Sequence, residues 1–337
     1  MTKSPIKNPT TIVRSRSKQD EMLEEQHRYF LATGPKLSAF AQVKLFLWNP
    51  EKKSVMGRTG PSWAKIGLFY LIFYGMLAAL VAICMWVFLQ TLNPRIPKWQ
   101  MSESIIGTNP GLGFRPMPTT NLESTLIWFQ GSNRTNYQPW VDNLSHFLDA
   151  YYTPSKIAKG SGQIKTCSHS DYPRGDEVCE VDVREWGKCN KDEFFDYHRS
   201  SPCIFLKLNR IYGWIPDYYI YDDELPKDMP KQLKDHIKSI PNPRDRKNVW
   251  LSCEGESPAD REYVGSISYY PKQFQGFPGY YFPYLNGEGY LSPLVAVRFE
   301  RPVSGIVINI ECRAWAKNIK YNRNERMGSV HFELLID

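Results

Sequence analysis

No aspartate, glutamate, lysine, arginine or histidine occurs between residues 66 and 92, a gap of 27 positions in a chain of 337. An uncharged apolar run longer than about 18 residues has the length of a membrane helix, so a wholly soluble protein is excluded. Sequence signatures of catalysis are missing too. There is no HExxH, no GxSxG, no phosphate-cradling GxxxxGK[ST], and no GxGxxG after a strand. Gly111-Leu112-Gly113 lies among prolines and has no third glycine. His146, His169, His198, His236 and His331 are scattered along the chain, where a reactive or metal-binding site needs convergent groups. The expectation is therefore no catalytic residue, no metal ligand set, no cofactor and no nucleic-acid partner.

Cysteine is absent from the first 83 residues, and Cys84 lies inside the apolar run, where it reads as a small hydrophobe. The other six, Cys167, Cys179, Cys189, Cys203, Cys253 and Cys312, all follow it. An even number confined to one side of the membrane points to disulfides in an oxidising compartment. Two sequons, Asn133-Arg134-Thr135 and Asn143-Leu144-Ser145, fall on the same side, making Asn133 and Asn143 glycosylation candidates.

Charge gives the same orientation. Residues 1–65 hold 12 Lys or Arg against 5 Asp or Glu, whereas residues 93–337 hold 30 against 30. Positive charge beside a span stays on the cytoplasmic side, and Lys52, Lys53, Arg58 and Lys65 lead into this one. The run sits too far from the start for a cleaved signal peptide and reads as a retained signal anchor. The expected organisation is a basic cytoplasmic tail over 1–65, largely disordered, and a membrane helix over 66–92. A proline-rich stalk over 93–120 and an extracellular domain over 121–337 follow. Residues 38–48 fit either a short helix on the inner membrane surface or a simple connector.

Beyond the stalk, Trp140, Leu144, Phe147, Leu148 and Tyr151 recur at helical spacing, and Pro154 ends that pattern. The period then changes to two. Ile306, Ile308, Ile310 and Cys312 alternate with polar residues, as do Val295, Val297 and Phe299, and Val330, Phe332, Leu334 and Ile336. Further strands are expected around 126–130, 204–208, 249–253 and 264–270. The fold class is mainly β: one transmembrane helix and an antiparallel β-sandwich with one helix.

Three functional classes share this topology. A Golgi glycosyltransferase needs an acidic metal-nucleotide triplet, and Asp222-Asp223-Glu224 is the nearest candidate, although an acidic turn before Pro226 explains it equally. An adhesion or lectin-like receptor fits the same disulfides and sandwich. A membrane-partner subunit is favoured by Tyr70 and Tyr74 within the span, with Gly75, Ala78, Ala79 and Ala82 forming a small-residue surface that lets another helix approach. The Tyr74 hydroxyl meets such a partner or bonds its own helix carbonyls.

Gly57-Arg58-Thr59-Gly60, Ser62-Trp63, Lys65, Phe69-Tyr70 and Phe73-Tyr74-Gly75 closely resemble the β subunits of the animal sodium/potassium-transporting ATPase. Tyr280-Tyr281-Phe282-Pro283-Tyr284 followed by Gly287 is similar to that family's aromatic loop, and Cys312-Arg313-Ala314 fits as well. Phe282 stands where the family has a tyrosine, and Leu285-Asn286 replaces a single aromatic residue. The proton/potassium pump β subunit is a close sibling. The resemblance implies an immunoglobulin-like sandwich and disulfides in sequence order, Cys167 with Cys179, Cys189 with Cys203, and Cys253 with Cys312. It implies a non-catalytic plasma-membrane subunit that assists folding and delivery of an ion-pumping α subunit and tunes potassium binding. Tyr70, Tyr74, Gly75, Tyr280, Tyr281, Phe282 and Tyr284 would contact α. Membrane lipid and a small third (FXYD-like) subunit would be further partners.

Overall fold

The computed structural model describes residues 38–50, 53–118, 124–153 and 164–337, together with Met22 and Glu25. Most of the expected disordered tail, and Pro154, lie outside the described residues. The chain divides into two units, Met1–Thr91 and Leu92–Asp337.

In the first unit, helix α1 (Ala39–Leu47) leads into three two-residue strands, β1 (Trp48–Asn49), β2 (Ser54–Val55) and β3 (Arg58–Thr59), paired in that order. Of the two alternatives for residues 38–48, the helix is the one formed. Gly57, at φ +77°, turns the chain between β2 and β3, a conformation glycine adopts without steric cost. The indole Nε1 of Trp63 donates to the Val55 carbonyl at 3.0 Å and ties this hairpin to the first turn of α2 (Gly60–Gln90). Pro61 suits that first turn, since its missing N–H would be unsatisfied there anyway. At 31 residues α2 is about 46 Å long, more than the roughly 30 Å hydrocarbon core. The helix begins before the uncharged 66–92 run, because Ser62, Ala64 and Lys65 are compatible with helix whether or not lipid surrounds them. It stops at Gln90, where the Thr91 hydroxyl donates to the Phe88 carbonyl at 2.7 Å. None of its side chains is buried within the chain.

The second unit begins with β4 (Leu112–Arg115), β5 (Leu126–Phe129) and α3 (Arg134–Tyr152), followed by the short strands β6 (Ile164–Lys165) and β7 (Val178–Cys179). Strand β8 (Cys203–Leu208), helix α4 (Lys231–Ser239), β9 (Asn248–Gly255) and α5 (Pro258–Tyr263) come next. Then follow β10 (Ser266–Tyr270), β11 (Gly276–Pro278), β12 (Leu294–Glu300), β13 (Val307–Trp315) and β14 (Ser329–Ile336). One sheet has the order β10-β12-β8-β4 and the other β11-β9-β13-β14-β5. Phe332 of the second touches Phe114 and Phe299 of the first, at 5.2 and 5.9 Å between ring centres, so the sheets form a sandwich. Alternate residues Ile308, Ile310 and Cys312 are buried as period two requires.

Three details differ from expectation. The proline-rich segment after the membrane helix is not free of regular structure: Leu112–Arg115 pairs antiparallel with β8, because the prolines flank those four residues and leave their ladder bonds intact. The five-stranded sheet is mixed, since β5 runs parallel to β14, and period-two alternation carries no strand direction. Two additional helices, α4 and α5, join α3. The first is short and shows its apolar face only through Leu233 and Ile237, which pack with Trp250 and Trp315.

Helix α3 buries Tyr137, Val141, Leu144, Leu148 and Tyr151, with Asn133 as its N-cap accepting from the Thr135 N–H at 3.1 Å. Three disulfides join Cys167 to Cys179, Cys189 to Cys203, and Cys253 to Cys312. In the last, the two cysteines sit opposite each other on β9 and β13.

Candidate partner-binding surfaces

The expected contact residues fall on two surfaces, one in each unit. On α2, Tyr70 and Tyr74 are one turn apart and stack at 5.9 Å between ring centres; Phe69 and Phe73 stack beside them at 6.1 Å. Neither tyrosine hydroxyl has a hydrogen-bond partner among the described residues. The alternative in which Tyr74 bonds its own helix carbonyls is thus not formed. A side chain added at Gly75 would meet open space, so a second backbone has room to approach there. At about 100° per residue, Tyr74, Ala78, Ala82 and Gly75 share one face of the helix.

The second surface is built by two loops, one closed by the Cys167–Cys179 disulfide and the other running on from Gly279. Gly279–Tyr281 forms a 3-10 turn immediately after β11. There the Gly279 N–H donates to the Lys247 carbonyl at 2.9 Å. The Tyr281 hydroxyl donates to the Glu180 carbonyl at 2.9 Å, linking the turn to the residue after Cys179. Packing around the phenols pushes the Tyr281 and Tyr290 pKa values well above their ordinary range, so both stay neutral hydroxyls.

The four rings of 280–284 cannot all point inward, and Tyr280 is the one that does. Tyr280 is only 7% exposed, packed at 4.6 Å from the Tyr281 ring and 5.3 Å from His169. The tight turn at Gly279 directs its ring inward. Tyr281, Phe282 and Tyr284 are half-buried. Phe282 meets Trp214 edge-on at 5.5 Å, and Tyr284 lies 4.8 Å from Tyr290 and 6.4 Å from Tyr212. No spacing in the sequence links Trp214, Tyr212 and Tyr290 to the 280–284 run. Leu285 and Ile215, which follow Tyr284 and Trp214, are exposed. Asn286, one of the two departures from the family pattern, accepts from the Tyr284 hydroxyl at 2.8 Å and donates to the Arg95 carbonyl at 3.1 Å. Between the loops lies a cavity of about 330 Å3, lined by Tyr172, Pro173, Tyr281, Phe282, Leu285 and Tyr290 among others.

Asn133 is exposed at the start of α3. Asn143 is half-buried in mid-helix, and its Nδ2, the atom a glycan would occupy, donates to the Met117 carbonyl at 3.4 Å. The acidic triplet has internal partners. Glu224 pairs with Lys317 at 2.7 Å and accepts the Ile220 and Tyr221 N–H groups; Asp222 pairs with Arg246 at 2.7 Å. The Lys317 contact and those two N–H bonds hold the Glu224 carboxyl down at about 2.

The family model for the sodium/potassium ATPase beta chain matches residues 34–332. The sodium/potassium-transporting ATPase subunit beta-2 of Drosophila melanogaster is 55% identical over 299 residues, covering 88% of this chain and 92% of the relative. The subunit beta-1 of the same organism is 43% identical over 294 residues, covering 86% and 91%. The subunit beta-2 of Homo sapiens is 30% identical over 309 residues, covering 87% and 93%.

Proposed function

The chain belongs to the family of sodium/potassium ATPase beta chains, and on that premise we propose that it is the non-catalytic partner of an ion-pumping α subunit. In this reading it assists folding and plasma-membrane delivery of α and modulates potassium affinity, while hydrolysis of ATP belongs to α. The family match over residues 34–332 carries the reading. The two surfaces supply its physical means. Tyr74 and Gly75 on the membrane helix offer a hydroxyl and a close approach to a neighbouring helix. Tyr284 and Leu285 offer an aromatic anchor and an exposed apolar side chain to an extracellular loop of α.

The chain crosses the membrane once with its N-terminus in the cytosol, a reading supported by the charge before α2 and by the cysteines and sequons after it. Residues 93–120 act as a stalk and 121–337 as the ectodomain. Lipid surrounds the rest of α2, and a small third subunit has room beside it.

Detergent extraction of the tagged chain, followed by identification of large co-purifying membrane proteins, tests the assignment. Recovery of an ion-pump α subunit is expected. Recovery of the chain alone from a membrane that contains such a pump would overturn it. Orientation is read separately: protease added to sealed cells should reach the C-terminal unit and spare an N-terminal tag.

A further inference from the structure

A cleft of about 530 Å3 opens at the start of α2, lined by Arg58, Trp63, Lys65, Ile66, Phe69 and Tyr70. Its two ends differ chemically. Arg58 and Lys65 bring two exposed cations, and neither has an ion-pair partner among the described residues. Among the described residues no acidic side chain lines the cleft. Ile66 and Phe69 continue it along the apolar part of the helix. The cleft is a built feature. The glycine turn at Gly57 and the Trp63 Nε1 bond to Val55 fix the hairpin that carries Arg58 against the helix that carries Lys65.

The cleft lies mainly on the side of α2 away from Gly75 and shares Tyr70 with the face assigned to a partner helix. Ile66 and Gly75 are nine residues apart, which at about 100° per residue places them on opposite sides of α2. Tyr70 lies at the border between the two.

We propose that this cleft binds one anionic phospholipid. The phosphate, together with the carboxylate of a serine headgroup, sits between Arg58 and Lys65, and the upper part of an acyl chain runs along Ile66 and Phe69. Charge complementarity selects the lipid: in phosphatidylcholine the choline cation cancels the phosphate, whereas the serine carboxylate leaves phosphatidylserine with net negative charge. Location selects it as well, since Trp63 and Tyr70 are of the kind that settles at the headgroup level. In a cell the site rests on the orientation proposed above, because anionic lipids concentrate in the cytoplasmic leaflet.

The test uses the full-length chain, with whatever subunit co-purifies, in nanodiscs of phosphatidylcholine containing a minor fraction of phosphatidylserine. Bound lipid is identified by native mass spectrometry. Retained lipid should be enriched in phosphatidylserine. The double variant Arg58→Gln with Lys65→Gln should lose that enrichment on the order of thirtyfold, from about fivefold per cation. Arg58→Lys with Lys65→Arg should keep it, and so should Lys53→Gln, which removes a nearby charge outside the cleft. In discs whose phosphatidylserine carries brominated acyl chains, part of the tryptophan quenching should vanish in Trp63→Phe. Equal retention of both lipids, retention unchanged in the double glutamine variant, or an equal loss with Lys53→Gln would each overturn the proposal. Nanodiscs offer the same lipid on both faces, so this result does not depend on orientation, which protease accessibility reads independently.

Discussion

The hydroxyl of Tyr281 donates to the backbone carbonyl of Glu180 across 101 residues of sequence, at 2.9 Å. That bond makes the Cys167–Cys179 loop and the aromatic turn one structural piece, and it separates the roles of neighbouring rings.

Tyr281 and Tyr284 should respond differently to substitution. Tyr281→Phe removes the bond to Glu180 and should lower ectodomain stability by about 1 kcal/mol, read by chemical denaturation. Tyr284→Ala should leave ectodomain stability within about 1 kcal/mol and weaken assembly with α by about 2 kcal/mol or more, read by co-purification. Equal ectodomain destabilisation by both would place Tyr284 in the core.

The Cys253–Cys312 bond closes a 59-residue separation and links β9 to β13 at the centre of the five-stranded sheet. Loop-closure entropy assigns such a link about 4 kcal/mol. Cys312→Ser should therefore be retained in the endoplasmic reticulum, visible as a glycan that stays sensitive to endoglycosidase H.

Replacing both Tyr70 and Tyr74 with Phe removes two hydroxyls and keeps the 5.9 Å ring stack. Each lost interhelical bond should cost about 0.6 to 2 kcal/mol. The expected outcome is normal assembly with altered potassium affinity in a pump assay. Unchanged affinity together with crosslinks to lipid alone at both positions would refute the contact.

Glu224 gives a pH signature. Its carboxyl is held at about 2, below its ordinary 4.5, by Lys317 and the backbone N–H groups. Its contribution to stability is thus complete above pH 4.5 and lost as pH falls toward 2. Glu224→Gln should flatten the decline of ectodomain stability across that window and leave the profile above it parallel to wild type. An unchanged slope between pH 4.5 and 2 would show that Glu224 has no special role there.

Much of this was legible in order along the chain. The uncharged run announced α2, and the spacing of Leu144, Leu148 and Tyr151 announced α3. Alternation in 304–315 and 329–336 announced β13 and β14. Each of these signals is carried by consecutive residues, whose side chains a helix or strand places on one face whatever surrounds it. Strand β4 was hidden among prolines, and α4 was too short for its period to show.

The order of residues alone determined that the chain has one membrane helix, a β-rich unit after it and an aromatic run at 280–284, because each is a property of neighbouring side chains. Only the tertiary structure decided that Tyr280 turns inward, that β5 runs parallel to β14, and that Tyr281 finds Glu180. The same holds for Asn143, whose amide is turned to Met117 while Asn133 stands exposed. These outcomes depend on groups distant in sequence competing for the same interior space and the same backbone carbonyls, and no local period records which of them meet.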